Sequence, residues 1–573
     1  MWKSILSRDR MERINGGHQW KRHLLLTVVL CAASCVGWML FSAIGGEALE
    51  AVEAAEVAET DITESPEILP GWSAYADEPV TLNWYINYSW FTTGWGENAV
   101  SQKITEETGV TVNFVTPAGT ETEKLAAMIS ANSLPDIITL GWWETQLDEM
   151  ITKDLVYALN ELAEEYEPYF FTVADDEVVA WYQKEDGNLY CYPNSTYTPS
   201  DYEECDTIGS NQTFLVRKDI YEAIGSPDMS TPEGFMEAVR MAAELFPEVD
   251  GEPLIPVGAD VFTTEGCNSF DLYLQNFLAI PYEDENGIYY DRYTDEEYIT
   301  WLKVFRQLNE EGYLSTDIFI DQRTQMEEKI AQGRYFCMLY QRTDMEDQEK
   351  YLYANDPDSI YIAVDGPANS AGDDPVLPGA GLNGWTVTLI SKNCQDPERA
   401  IELLTYLMSE EGQLTTYLGV EGVTYDVADG DCVVREEVQE LLNTDRTAYD
   451  RLYGADNAYW MLQNNVLQLK WKQSTDASED PCLAMEEWTY PYTQYLGQYE
   501  LSFSLDTDVG YSWNAIQELW GDTLPELLLA ESEEAFDEIL AAFVEERDAL
   551  GYDEVVLACT EKYRAAKERL GME

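Results

Sequence analysis

The chain has 573 residues and a formal net charge of −75, with 45% hydrophobic and 12% aromatic residues. The length predicts two or three packed units, and the acid excess excludes a nucleic-acid partner because it repels phosphate backbones. Both histidines lie before residue 24, which excludes from the main body a Ser-His-Asp triad, a Cys-His pair and a zinc site with imidazole ligands.

An apolar segment near the N-terminus predicts a transmembrane or signal helix. Residues 24–44 form an uncharged run that follows a basic segment and precedes an acidic one. At about 1.5 Å per residue the run matches the thickness of a bilayer core, and the charge bias places the N-terminus in the cytoplasm. We expect residues 1–46 to be a signal anchor or a signal peptide cleaved near residues 42–46, with a lipoprotein modification at Cys35 less well supported. Residues 47–78 are expected to form a flexible acidic tether.

From residue 79 onward, strand and helix patterns alternate. We predict strands over 80–86, 110–115 and 137–140, and helices over 97–108 and 121–131. This order predicts an α/β lobe with a largely parallel sheet, in which ligands bind beyond the carboxyl ends of the strands. The loops at 87–96 and 141–145 follow two of these strands, and both contain two tryptophans.

The remaining chain continues with the same two kinds of element. Strands are predicted over 213–216, 256–259, 335–340 and 385–390, and helices over 218–224, 231–246, 295–311, 326–332 and 397–409. Thr231 and Pro232 are typical of a helix start, as N-cap and first-turn proline. From about residue 523 the chain is predicted to be mostly helical, with a break at Gly551.

Eight cysteines follow the apolar segment, and none of them forms a C-x-x-C pair. This spacing argues against a metal or redox motif. Cys191 and Cys205 are the candidates for a local disulfide if the chain is exported, although the sequence leaves the connectivity open.

Several short words occur in the order found in one known family. They are SLPDII at 133–138, KDLVY at 153–157, GNLY at 187–190, FLVRKDIY at 214–221, GWTV at 384–387, PERAI at 397–401, SEEGQ at 409–413 and GVEGVTY at 419–425. With these words the chain resembles the extracellular solute-binding proteins of ABC transporters. The resemblance is to the carbohydrate type, family 1, which includes maltose-binding protein, and in particular to the LipO-like branch. It extends over nearly all of residues 79–573.

The resemblance implies an α/β, two-lobe, type II periplasmic-binding-protein fold with a hinge. By analogy, lobe one comprises 79–212 and 358–440, lobe two comprises 213–357 and 441–530, and residues 531–573 form C-terminal helices that pack on a lobe. It also implies a monomer held at the extracytoplasmic face of the cell membrane, which binds a sugar or oligosaccharide and passes it to ABC permease subunits. The chain contains no G-x-x-x-x-G-K-[ST] motif, so the ATPase would be a separate polypeptide. No cofactor, metal or catalytic residue is expected.

A sugar site needs aromatic rings for the apolar face of the ligand and polar side chains for its hydroxyls. The first-lobe candidates are Trp90, Trp95, Trp142, Trp143, Glu144, Asn383 and Trp385, and the second-lobe candidates are Asn268, Asp271, Tyr340 and Arg342. For each tryptophan the alternative is core packing, and for Glu144, Asp271 and Arg342 it is an ion pair.

Two other functions remain open from the sequence. A secreted glycoside hydrolase needs only a pair of carboxylates, which this acidic chain contains in abundance. A tethered binder that presents its ligand to a sensory kinase would have the same fold. Turnover of oligosaccharides would distinguish the first alternative, and neighbouring kinase genes the second.

Overall fold

The computed structural model describes residues 69–573, except for 119–120, 429, 474–479, 506 and 573. The predicted N-terminal helix and most of the expected tether therefore lie outside the described residues. Within the described part, no helix has both the length and the apolar character needed to span a bilayer.

Fifteen strands occur in the described part of the chain. They are β1 Val80–Ile86, β2 Val110–Val115, β3 Ile137–Gly141, β4 Tyr192–Pro193, β5 Gln212–Arg217, β6 Glu248–Val249, β7 Glu252–Pro253, β8 Ile255–Val257, β9 Tyr335–Gln341, β10 Tyr361–Ala363, β11 Leu377–Pro378, β12 Thr386–Ile390, β13 Tyr425–Ala428, β14 Asp431–Val434 and β15 Thr493–Gln494. The predicted strands agree with these bounds to within one or two residues.

The helices of the described residues fall into three stretches of chain. The first holds α1 Ala99–Thr108, α2 Glu121–Ser130, α3 Thr145–Thr152, α4 Leu159–Tyr166, α5 Phe170–Val173, α6 Asp176–Tyr182 and α7 Pro199–Glu204. The second holds α8 Lys218–Ala223, α9 Pro232–Leu245, α10 Leu272–Phe277, α11 Glu296–Glu310, α12 Arg323–Ala331 and α13 Glu346–Asn355. The third holds α14 Pro397–Met408, α15 Glu410–Tyr417, α16 Glu436–Thr444, α17 Arg446–Leu452, α18 Asn465–Gln468, α19 Pro481–Thr489, α20 Asp508–Leu528, α21 Glu533–Ala549 and α22 Tyr552–Arg569.

Local sequence signals explain where many helices begin and end. The Asn98 side chain accepts a hydrogen bond from the Ser101 backbone N–H at 2.9 Å and caps α1. Gly109 ends the same helix in the left-handed conformation, with φ +69°, which glycine adopts without steric cost. The predicted start at Thr231 is confirmed, because its hydroxyl accepts from the Gly234 N–H and Pro232 occupies the first turn of α9.

The first lobe is built on a five-stranded sheet in the order β2-β1-β3-β12-β4. Strands β1, β2 and β3 are mutually parallel, whereas β12 runs antiparallel to β3 and β4. The sheet is therefore mixed rather than largely parallel. The reason is that the chain returns from the second lobe at the edge where β1 and β3 end, so β12 must run back in the opposite direction.

The second lobe is built on a four-stranded sheet in the order β10-β5-β9-β8. Strand β9 is parallel to β8 and antiparallel to β5, and β10 is antiparallel to β5. Its core includes Phe214, Phe235 and Phe305. The first core, around Ile138 and Leu404, is a separate cluster of buried residues. The two sheets with their own cores confirm the two-lobe α/β architecture.

Core membership moves two of the expected lobe boundaries. Tyr361 pairs in the second sheet, although residues from 358 were assigned to lobe one. Tyr449, Tyr459 and Trp460 pack in the first core, although residues from 441 were assigned to lobe two. We therefore propose that the first lobe resumes at about residue 382 and extends to Leu462, which is the last residue of its buried cluster.

Three stretches of chain pass between the lobes, and we call them the crossing segments. They lie near residues 194–211, near 378–381, and near 463–473 with 480–484. Ser210, in the first of them, forms two hydrogen bonds to neighbouring segments. Its hydroxyl donates to the Pro378 carbonyl at 2.6 Å, and its backbone N–H donates to the Thr489 hydroxyl at 2.9 Å. Strands β11 and β15 pair in parallel beside them. A hinge at these segments remains a proposal.

The C-terminal helices pack on the second core and touch the first lobe at their far end. Phe536 and Phe543 of α21 belong to the second core, and Cys559 of α22 is buried with Ile516 of α20. At the end of α22 the Arg569 guanidinium lies 4.4 Å from the ring centroid of Trp181, the penultimate residue of α6. These helices thus join the two lobes in addition to covering one of them.

The cysteine prediction requires a correction. All eight cysteines of the described residues are free thiols. Cys191 is buried in the first core, whereas the Cys205 sulfur lies 3.1 Å from the Thr207 hydroxyl at the end of α7. The two sulfurs therefore face different surroundings and do not form the expected disulfide.

Candidate functional site

Four aromatic rings meet at the edge of the first sheet where β1 ends and β12 begins. We call Tyr88, Trp90, Trp385 and Trp460 the aromatic cluster. The Trp90 and Trp385 rings are nearly parallel, at 5° with centroids 6.1 Å apart. The Trp385 and Trp460 centroids lie 4.5 Å apart. Trp90 is 44% exposed, so part of the cluster is accessible to solvent.

Asn194 holds two members of the cluster in place. Its side-chain oxygen accepts from the Thr386 backbone N–H at 2.7 Å, directly after Trp385. Its side-chain nitrogen donates to the Trp460 carbonyl at 2.8 Å, and its own carbonyl accepts from the Trp385 N–H at 3.2 Å. Because Asn194 is buried and begins a crossing segment, it links the aromatic cluster to the passage between the lobes.

A second polar-aromatic group follows β3. Glu144 accepts from the Gly141 backbone N–H at 2.8 Å and from the Asn87 amide at 2.5 Å, so it joins the ends of β3 and β1. Trp142 and Trp143 make an edge-to-face contact at 5.9 Å, and Trp143 is 47% exposed. The carboxylate is thus held by protein donors, while one indole remains accessible beside it.

Trp95 and Asn383 lie apart from the aromatic cluster. The Trp95 indole donates to the Thr105 hydroxyl at 2.9 Å and packs edge-on to Phe114 and Tyr459, which places it against the first core. The Asn383 side chain accepts from the Trp181 indole at 2.7 Å and donates to Glu500 at 2.7 Å. Burial raises the pKa of Glu500 to about 7.

The second lobe presents polar groups where β8 and β9 end. We call Asp260, Asn268, Tyr340 and Asp344 the second-lobe face. Asn268 is exposed and donates to the Asp260 carboxylate at 3.1 Å, and Asp344 forms an ion pair with Arg323 at 3.1 Å. Burial raises the pKa of both carboxyl groups.

Two of the predicted second-lobe residues are buried. Asp271 is buried and accepts from the Trp520 indole at 2.7 Å, the Tyr298 hydroxyl at 2.9 Å and the Cys267 N–H at 2.8 Å. Since protein donors occupy both of its oxygens, we leave Asp271 out of the candidate site. The Tyr340 ring is likewise core, but its hydroxyl has no hydrogen-bond partner among the described residues.

Arg342 lies between the second-lobe face and the crossing segments. Its guanidinium donates to the Ser210 carbonyl at 2.9 Å and pairs with Glu486 at 3.5 Å. Asn194 and Ser210 bound one crossing segment, with the aromatic cluster at one end and Arg342 at the other. The two candidate faces therefore adjoin the same passage between the lobes.

The sequence analysis missed several members of these groups. Trp460 and Asn194 were not singled out, because each is far in sequence from the residues that it contacts. Asp260 and Arg323 were also missed, although Asp260 follows a predicted strand and could have been found by that signal.

In the described residues no group of three or more His, Cys, Asp or Glu side chains is arranged to hold a metal ion.

Comparison with known proteins gives consistent matches. A family model described as a bacterial extracellular solute-binding protein matches residues 99–438. The polygalacturonan/rhamnogalacturonan-binding protein YtcQ of Bacillus subtilis is 22% identical over 287 residues, which cover 47% of this chain and 54% of YtcQ. Lipoprotein LipO of the same organism is 22% identical over 225 residues, 38% of this chain and 44% of LipO. The chain thus spans about half the length of the curated relatives that it matches.

Among solved structures, the fold matches over most of the chain. The ABC-transporter substrate-binding protein FusA of S. pneumoniae, in complex with kestose, superimposes with a TM-score of 0.65. The superposition covers 85% of this chain and 100% of that one, at 15% sequence identity. This likeness establishes a shared two-lobe fold.

Proposed function

Because the chain belongs to the family of bacterial extracellular solute-binding proteins, we propose that it captures a sugar or oligosaccharide between its lobes and delivers it to an ABC permease. Family membership agrees with the resemblance found in the sequence. The family and the fold are those of binding proteins rather than enzymes, so retention of the ligand without turnover is the expected behaviour.

The aromatic cluster is the observation that carries this proposal. A sugar ring exposes C–H groups on one face and hydroxyls at its rim, so it stacks on flat aromatic surfaces and bonds to polar groups around them. Trp90 offers such a surface, backed by the parallel ring of Trp385. The Asn87–Glu144 pair at the same sheet edge supplies polar atoms.

The two-lobe architecture supports a closing mechanism. A ligand that touches both faces only when the lobes are closed stabilises the closed state by its differential affinity. The closed protein would then be recognised by permease subunits, with ATP hydrolysis supplied by a separate ATPase. The ligands of relatives are compatible with this class: YtcQ is named for polygalacturonan and rhamnogalacturonan, and FusA was solved with kestose.

We also propose that the protein works at the outer face of the cell membrane. The family is extracellular, and the relative LipO is a lipoprotein. The apolar run at 24–44 would serve as anchor or export signal.

The proposal predicts that truncating the exposed stacking ring weakens sugar binding. Trp90→Ala should weaken oligosaccharide affinity by at least tenfold, because the ring offers stacking area, whereas Trp90→Phe should retain part of it. Isothermal titration calorimetry against a carbohydrate panel measures both variants.

Trp513→Ala is the matched control, because this half-buried tryptophan packs on Phe503 in the cluster of α20 and α22. If Trp513→Ala lost as much oligosaccharide affinity as Trp90→Ala, the loss would indicate unfolding. Unchanged affinity in Trp90→Ala would contradict the assignment of the site. If chromatography showed that the wild-type protein releases shortened sugars, a binding role would be contradicted.

A further inference from the structure

The second-lobe face contains a buried polar atom that lacks a protein partner. The Tyr340 side chain is fully buried, and its hydroxyl has no hydrogen-bond partner among the described residues. Burial raises the pKa of this hydroxyl, and the charges of Asp344 and Asp260 raise it further. An unpaired buried polar group costs about 1–3 kcal/mol, so a ligand that supplies the partner gains affinity.

Arginines on both lobes are already engaged by carboxylates. Arg323 donates to Glu327 at 2.7 Å and pairs with Asp344 at 3.1 Å. On the opposite lobe, the Arg446 guanidinium pairs with Asp450 at 2.8 Å and with Asp456 at 3.0 Å. A carboxylate on the ligand would therefore have to compete with protein carboxylates for these arginines.

The carboxylates of the second-lobe face also make it unfavourable for a ligand that carries a negative charge. Burial raises the pKa of both Asp260 and Asp344, which means that each anion is only partly compensated. Like charges at close range cost free energy that grows as solvent is excluded. Carboxylate oxygens do accept hydrogen bonds from hydroxyl groups, and such charge-assisted bonds are stronger than neutral ones.

We propose that the second-lobe face binds the hydroxyl groups of an uncharged oligosaccharide and excludes uronates. This inference rests on the proposed function and specifies its ligand class. It separates the chain from its relative YtcQ, whose named ligands are polymers that contain galacturonate. Asp260 and Asp344 accept from sugar hydroxyls, and the Tyr340 hydroxyl donates to or accepts from a ligand hydroxyl.

Matched sugars test the charge selectivity directly. Purified full-length protein is titrated calorimetrically with trigalacturonate and trimannuronate, with their carboxyl-reduced neutral forms, and with a broad panel of neutral oligosaccharides and their glucuronate-decorated counterparts. We expect at least one neutral sugar to bind, and its uronate counterpart to bind at least tenfold more weakly. A uronate that binds as tightly as its neutral partner overturns the inference and leaves the proposed function standing. Binding of no sugar in the panel contradicts the proposed function itself.

Three variants test the residues. Tyr340→Phe should fold normally, because it removes a hydroxyl without a protein partner, and should bind the neutral sugar five- to tenfold more weakly. Asp344→Asn should reduce discrimination against the uronate by at least threefold. Asp358→Asn is the control, since this carboxylate is 81% exposed on the same lobe and pairs with Lys218.

Circular dichroism and thermal unfolding establish that each variant is folded. Wild-type affinity and selectivity in folded Tyr340→Phe and Asp344→Asn would overturn the assignment of this face. If Asp358→Asn reduced discrimination against the uronate as much as Asp344→Asn, the selectivity would be a long-range charge effect. That result would also overturn the assignment of this face.

Discussion

At the scale of single residues, the chain buries several carboxyl groups that have no strong compensating charge. Glu349 of α13 is fully buried, and its carboxylate lies 3.1 and 3.2 Å from the Tyr361 backbone N–H. Burial raises the pKa of Glu349 to about 8, against the lowering effects of that hydrogen bond and of the Arg217 charge. The folded protein therefore holds this proton at neutral pH, whereas the unfolded chain releases it.

This pKa sets the sign of a pH-dependent stability. The folded-state pKa of Glu349 lies above the unfolded value. Its contribution to the free energy of unfolding is therefore fully present below about pH 4.5 and is lost as the pH rises through 8. Each unit of pKa difference corresponds to about 1.4 kcal/mol. We expect Glu349→Gln to remove this part of the pH dependence, as measured by urea denaturation at pH 5.5 and pH 8.5.

Glu328→Gln provides the comparison for Glu349→Gln, because Glu328 is exposed on α12. The free energy of unfolding of Glu328→Gln should differ between the two pH values by the same amount as that of the wild type. An unchanged pH dependence in Glu349→Gln would show that Glu349 is not the titrating group.

The structure brings the predicted residues Trp90 and Trp385 into contact, and their role in binding stays a prediction. Sequence reasoning could not find Trp460, because nothing local to residue 460 indicates a neighbour near residue 90. It also could not separate Asp271 from Asp260. Both are acidic and lie near the same loop, but only the packed structure shows that Trp520 and Tyr298 occupy the Asp271 carboxylate.

At the scale of elements, α22 connects the second lobe to α6 of the first lobe. The Arg569 guanidinium stacks on Trp181 and donates to the carbonyls of Ala180 and Trp181. The Trp181 indole in turn donates to Asn383, and Asn383 donates to Glu500. The end of one helix is thus linked to the loop that precedes β12.

We expect Arg569→Ala to lower the free energy of unfolding by about 1 kcal/mol, since an exposed cation–π contact contributes about 0.5–1 kcal/mol and the backbone hydrogen bonds add to it. Chemical denaturation followed by tryptophan fluorescence measures the change. Arg564→Ala, an exposed position on the same helix, is the control and should have a smaller effect. If the two variants lose equal stability, the contact with Trp181 contributes nothing specific.

At the scale of the whole molecule, the proposed function requires the lobes to change their separation on binding. Saturating ligand should raise the apparent free energy of unfolding by about 2.7 kcal/mol at a hundredfold excess over Kd. It should also reduce the radius of gyration, because closure brings the lobes together. Small-angle X-ray scattering with and without a bound oligosaccharide measures this second effect.

Trp90→Ala at the same sugar concentration should gain only about half as much stability, because a tenfold weaker affinity leaves about a tenfold excess over its Kd. Stabilisation of the wild type without any change in scattering would contradict closure while leaving binding intact. The two readouts therefore test the hinge and the site separately.

The sequence by itself determined the family and the main strands of the two sheets, although it missed several of the shorter strands. Alternation, helical periodicity and capping residues such as Thr231 act over a few neighbouring positions, so strand and helix bounds follow from them. The tertiary structure alone decided the reversed direction of β12, the inward position of Asp271 and the meeting of Trp90 with Trp460. These features depend on contacts between segments hundreds of residues apart or on the packing around a side chain, and local patterns carry no information about either.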